Sequence, residues 1–155
     1  MVSLTSYRGI HKKGTFSLSD LIAITKNTDN FRKAGAVALF VGVVRGETVN
    51  GEKVKKLILE TYEEKANEVL EKICKDLSKN PGIINVQIHH LIGEFNVGED
   101  LVYVSVAGSH RKEVWPTLRL AVDRYKSEAP IFKKELVIRA DGSADEYWTS
   151  EEGCQ

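Results

Sequence analysis

The feature that most constrains this chain is a change of hydrophobic period at residues 80–82. From 63 to 79 the apolar residues fall at 66, 69, 70, 73, 74 and 77, which is one face of a helix. Asn80-Pro81-Gly82 stops that pattern. Ile84, Val86, Ile88, His90 and Ile92 then alternate with Asn85, Gln87 and His89, the period of a half-buried strand with two unlike faces. A one-sided helix beside a two-faced strand calls for a core shared between helices and a sheet.

The remaining segments extend that reading in both directions. Leu18, Leu21, Ile22 and Phe31 suggest an earlier helix, capped at Ser19 and ending near Gly35. Residues 36–44 (AVALFVGVV) are almost continuously apolar and predict a strand buried on both faces, closed by Arg45-Gly46. Residues 54–62 read as a second strand, and Asn50-Gly51 between the two predicts a hairpin. After a turn at 96–100, residues 101–107 form an apolar strand. Gly108-Ser109 leads from it into a helix with Val114, Trp115, Leu118, Ala121, Val122 and Tyr125 on its buried side. Pro116 limits how early that helix becomes regular. Ala129-Pro130 breaks it, residues 132–139 form a strand, and residues 146–149 pair back after Asp141-Gly142. The expectation is one α+β domain over 1–155, with a mainly antiparallel sheet, about three helices and an extended arm at 1–14.

Charge narrows the function classes. Lys plus Arg and Asp plus Glu are 22 each, so no global field draws the molecule to nucleic acid or to an acidic membrane. Any anion site must be local. No apolar run approaches the roughly 18 residues of a spanning helix, and residues 1–14 hold no continuous apolar segment like that of a signal peptide. Two cysteines are too few for a disulfide framework, which suits a reducing, cytoplasmic setting. Cys74 lies on the helical stripe and is expected in the core, while Cys154 reads as a free thiol near the end. His89 and His90 point to opposite faces of a strand, so no shared metal is expected.

Three cationic stretches could carry chemistry. Gly108-Ser109-His110-Arg111 sits where a strand hands over to a helix, and free N–H groups of a first helical turn attract phosphate. On its own, Ser109 could equally cap the helix with His110 and Arg111 in solvent. Lys126 and Lys133 flank the break at Ala129-Pro130, with Lys134 and Glu135 beside them. A turn there could aim both amines at one site, where crowding among cations favours a neutral amine that serves as acid or base. Two exposed lysines are the plainer alternative. Arg45 emerges from the end of an apolar strand, and its guanidinium suits a bidentate grip on phosphate or carboxylate. All three stretches border elements whose apolar bodies must share one core.

Four segments, GAVALFVGVVRG (35–46), LILETYEEKANEVLEKI (57–73), HHLIGEFNVGEDLVYVSVAGSHR (89–111) and DRYKSEAPIFKKE (123–135), resemble the molybdopterin synthase catalytic subunit in order and spacing. The likeness spans about three quarters of the chain. It departs at Thr61-Tyr62-Glu63-Glu64, where many relatives have a His-Tyr-Pro-Gly-like stretch, and at Ile131-Phe132 after Pro130. The resemblance implies an α/β-hammerhead fold and a sulfurtransferase that converts cyclic pyranopterin monophosphate to molybdopterin, in molybdenum cofactor biosynthesis. It implies Lys126 as the principal catalytic lysine and Lys133 as the second. It further implies that Val43, Val44, Arg45, His110, Arg111, Lys126, Lys133, Lys134 and Glu135 bind the pterin phosphate. No cofactor is implied. Sulfur would come as a thiocarboxylate on the C-terminal Gly-Gly tail of a small ubiquitin-like carrier, two carriers and a homodimer forming a heterotetramer. A non-catalytic module that binds such a tail through an edge strand is the alternative. A small RNA-binding domain fits poorly, because the charge balance is zero and no aromatic-rich basic strand offers a stacking platform.

Overall fold

The computed structural model describes residues 7–150, and its longest strand runs through both halves of one sheet. In chain order the elements are β1 (Ile10–Lys12), α1 (Leu18–Lys26), a 3-10 turn (Phe31–Lys33), β2 (Ala36–Val43), β3 (Lys53–Thr61), α2 (Glu63–Ser78), β4 (Ile83–Asn96), β5 (Asp100–Gly108), α3 (Arg111–Glu128), β6 (Ile131–Ile138) and β7 (Ala144–Ser150). The early residues of β4 pair antiparallel with β5, from Ile83↔Gly108 to His90↔Val102. Its last residues, Gly93 to Asn96, pair antiparallel with β3 instead. Gly93, at φ +129, stands at the changeover, where a side chain would strain the backbone. The seven-stranded order is β2-β5-β4-β3-β6-β7, with β1 laid parallel along β4. The fold is α+β and mainly antiparallel, as the sequence predicts.

Helices close both faces of the β2-β5-β4 half. Strand alternation turns Val102, Val104 and Val106 toward α3, along with His90, whose ring meets Tyr125 edge-on at 5.7 Å. α2 adds Ala66, Leu70 and Ile73, each fully buried, to the same cluster. Burying one such Leu or Ile side chain contributes about 1.5–3 kcal/mol. α1 lies on the other face, where its buried Thr25 and the buried Ser105 share a hydroxyl hydrogen bond of 2.7 Å. Cys74 packs inward as expected, and burial pushes its thiol up to about 12, which keeps it unreactive. Cys154 and the first six residues lie outside the described residues.

Several expectations change. β2 and β3 do not form a hairpin: Gly51 does turn the chain, but only an isolated bridge joins Glu47 to Lys53. β2 pairs with β5 and β3 pairs with β4 and β6, so distant apolar strands outcompete the local turn. β2 is also not buried on both faces. It ends the sheet, with Val37, Leu39 and Val43 exposed at 40%, 38% and 52%. The first helix is capped by Ser17, not Ser19, through a capping box with Asp20. It stops at Lys26, well short of Gly35. Trp115 faces solvent, while Thr117, not expected in the core, is buried. Pro116 sits inside α3, which is helical from Arg111 onward. Among the described residues no helix is long and apolar enough to cross a membrane.

The arm is fastened by an aromatic stack. Phe16 stacks on His11 and on His89, each at 4.3 Å between ring centroids. His89 Nε2 lies 2.8 Å from Gln87 Oε1, an oxygen that only accepts, so Nε2 carries the hydrogen. Nδ1 is then the acceptor for His11 Nε2 at 2.9 Å. A proton on Nδ1 would force His11 Nε2 to become the acceptor instead. Burial, followed by repulsion from His11, accordingly pushes His89 down to about 3. Because its folded value lies below the ordinary 6.5, neutral His89 contributes stability that is fully present above 6.5 and lost as pH falls toward 3. Thermal unfolding measured between these limits should show the midpoint dropping more steeply for the native chain than for His89→Asn; parallel slopes would refute this account.

Candidate active site

The strands and α3 enclose a cavity of about 140 Å³ on the α3 side of the sheet. Each wall is placed by a break in regular structure. β2 leaves its register with β5 between Gly42 and Val43, a bulge that turns the strand end across the cavity. A Cβ at Gly42 would lie 2.6 Å from Val102 Cγ1, so the glycine in this apolar run permits the close approach. Beyond the bulge, Val44 N–H donates to Glu99 O at 3.0 Å and Val44 O accepts from Gly98 N–H at 2.9 Å. That clamp buries Val44 and projects Arg45, an exposed residue, at the cavity rim.

The second wall comes from the end of α3. Ala129 is extended at φ −79 and ψ 132, as the residue before a proline prefers, and the helix stops there. Thr61 Oγ1 donates to Pro130 O at 2.6 Å and holds the turn against β3. Lys126 precedes the turn in the last helical turn, and Lys133 follows it on β6. Alternation along β6 puts Lys133 and Glu135 on one face and Lys134 on the other. The cavity is therefore lined by Val43, Val44 and Arg45 from the β2 end, Lys126 from α3, and Lys133 and Glu135 from β6.

Three of the expected residues stand elsewhere in the single chain. Lys134 points through the sheet to pair with Glu146 at 3.0 Å, with its ammonium 5.4 Å from the Trp148 ring. It is turned away by the same alternation that brings its neighbours in. His110 and Arg111 are exposed at the opposite end of α3. Arg111 is fifteen positions from Lys126, about 22 Å at the helical rise. Ser109 does not cap α3; the capping position is His110, with no side-chain cap, and Ser109 N–H donates to Gly82 O.

The cavity also holds two residues that the motif reading passed over, His90 and Tyr125, which are 1% and 2% exposed. The signal for His90 was present: on the even-numbered face of β4 it is the one polar residue among Val86, Ile88 and Ile92. Taken together, the lining offers three cationic side chains, Arg45, Lys126 and Lys133, against the carboxylates of Glu47 and Glu135. Such a lining suits a small polar anion, with amines in reach of its reacting atoms. Among the described residues no group of three or more His, Cys, Asp or Glu is arranged to hold a metal ion.

Known proteins resemble this chain in sequence and in fold. The family model described as MoaE protein matches residues 10–128. The molybdopterin synthase catalytic subunit of Pyrococcus abyssi is 33% identical over 127 residues, covering 82% of this chain and 82% of that protein. The crystal structure of molybdopterin synthase from Staphylococcus aureus superposes with a TM-score of 0.76 at 26% identity, covering 96% of this chain and 99% of that one. The fold is also shared, at a TM-score of 0.66 and 23% identity over 83% of each chain, with a Helicobacter pylori complex of subunits 1 and 2 of molybdopterin-converting factor. With a matching segment that runs from β1 to the last turn of α3, the chain belongs to the MoaE family, the family of molybdopterin synthase catalytic subunits.

Proposed function

We propose that this chain converts cyclic pyranopterin monophosphate to molybdopterin in the cavity, using no cofactor of its own. The observation that carries the reading is the meeting of Arg45, Lys126 and Lys133, from three separate stretches, around one small hollow. Arg45 provides a planar fork for a phosphate oxygen pair. Lys126 as an ammonium gives a proton to the departing oxygen; as an amine it adds to a carbonyl carbon, and both roles place Nζ at the reacting atoms. Lys133 stabilises negative charge that develops during sulfur addition. Val43 and Val44 line the β2 end of the cavity, and Glu135 balances the cations on the same face.

Two sulfurs must be delivered, and the family resemblance points to a carrier with a thiocarboxylate at a C-terminal Gly-Gly. A tail without side chains can thread a narrow entrance that a bulkier peptide cannot. The two-subunit Helicobacter pylori complex, which shares this fold, supports a partner of that kind. His110 and Arg111 cannot reach the cavity of their own chain across about 22 Å of helix. In a homodimer, we place them at the cavity of the second copy, where they add charge-assisted contacts to the phosphate. Lys134 stays on the far face of β6, outside the pterin site. A cytoplasmic setting, where thiols stay reduced, suits a thiocarboxylate donor.

Purified protein mixed with thiocarboxylated carrier and cyclic pterin should form dithiolene product, and carrier lacking its terminal Gly-Gly should form none. Lys126→Ala should lower turnover by at least about a hundredfold while carrier affinity stays within about twofold; near-normal turnover would defeat the assignment. Lys126→Ala and Arg111→Ala should each be inactive, yet their co-expressed mixture should recover roughly a quarter of native activity, because half the dimers are mixed and each has one intact site. A mixture as inactive as its parents would place Arg111 outside the partner's site.

A further inference from the structure

β2 ends the sheet with an unguarded edge. Its outward N–H and C=O groups meet no other strand among the described residues. Residues 36–43 hold no charged side chain and no proline, the devices by which exposed edges avoid pairing with another chain. Val37 and Leu39 stand exposed along it. Such an edge is a template for a strand supplied from outside the chain.

α3 continues this surface. α2 packs on β4 whereas α3 packs on β5 and β2, so the flank of α3 turned away from α2 lies on the β2 side. Arg124, paired with Asp76 of α2 at 3.1 Å, marks the α2 side. Trp115 is about two and a half turns earlier, on the opposite flank, and is 61% exposed. Arg111, Trp115, Val122 and Lys126 form one stripe there, at intervals of four, seven and four residues. Those intervals read the same from either end. A copy turned end for end therefore sets Arg111 against Lys126 and Trp115 against Val122.

We propose that a second copy of this chain docks on this surface, β2 against β2 in antiparallel register about a two-fold axis near Leu39 and Phe40, with α3 laid against α3. β2 and α3 run the same way, because Ala36 pairs with Gly108 just before α3 and Gly42 pairs with Val102 beside the cavity. One axis through the middle of β2 thus also passes near the middle of the stripe. Since α3 rests on both β5 and β2, a strand spacing of about 4.8 Å puts the two α3 axes about 10 Å apart, an ordinary helix-packing distance. The arrangement carries Arg111 of each copy to the Lys126 end of the other. It rests on the reading that Arg111 serves the second copy's cavity, and it supplies the surface that puts it there.

Sedimentation equilibrium of the whole chain, without pterin or carrier, should show a dimer. Leu39→Lys sets like charges near the axis and should weaken that dimer at least about a hundredfold. An equal mixture of Leu39→Lys and Leu39→Glu chains should dimerise again, because opposite charges then meet. A native dimer that Leu39→Lys leaves within about twofold would overturn the inference alone. A monomeric native chain would overturn it together with the role of Arg111 in the second copy. Loss of carrier binding in Leu39→Lys with the dimer intact would give the edge to the carrier and overturn the inference as well. A dimer with the expected response but no turnover of pterin would count against the functional reading and leave the interface standing. If the Leu39 variants do not fold, spin labels on Arg119→Cys in a Cys154→Ser chain should lie closer together across the dimer than labels on Lys112→Cys, since Arg119 is near the axis; the reverse order would overturn the proposal.

Discussion

The structure depends on β4 serving both halves of the sheet with one backbone. Its first part is laddered to β5 and its last part to β3, with β1 laid along the residues near the changeover. Ladder bonds along both parts keep the buried peptide groups satisfied while the strand changes partners. That single continuity brings β6, two strands removed from β4, close to the end of α3, which packs on β5. Without a strand long enough to reach both, the wall bearing Lys126 and the wall bearing Lys133 would belong to separate layers.

The cavity is built from interruptions in an otherwise regular scaffold. The bulge after Gly42, the extended Ala129 before Pro130 and the alternation of β6 each aim one or two side chains. Such features cost local regularity, and in return they direct groups that regular strands and helices would leave in the core or in solvent. Arg45, Lys126 and Lys133 line a hollow of about 140 Å³ together with the carboxylates of Glu47 and Glu135. The cations favour an anionic ligand, and the carboxylates offset part of their mutual repulsion when the site is empty.

Two histidines adjacent in sequence show how strand geometry assigns different work. His89 faces the Phe16 stack and is kept neutral by burial and by His11. His90 faces Tyr125 and the cavity. Alternation alone separates an arm-fastening residue from a cavity residue one position away.

Much of this was legible in the residues. The stripe at 66–77, the stop at Asn80-Pro81-Gly82 and the alternation of 84–92 define α2 and β4, because periodicity is a local property that side-chain polarity records. Arg45, Lys126 and Lys133 were also legible as candidates, since each lies near a turn or a strand end that the sequence marks, whereas the family resemblance supplied Glu135. Partner choice was not. Residues 36–43 carry the same apolar text whether they pair with β3 or β5, and only the packing of α3 against β5 and β2 decides. The side of β6 that Lys134 faces depends on register, which a shift of one residue would reverse. The 22 Å separating Arg111 from Lys126 follows from one unbroken helix that Pro116 did not interrupt. Local chemistry is written along the chain, whereas the meeting of distant stretches is settled by which apolar surfaces bury one another best.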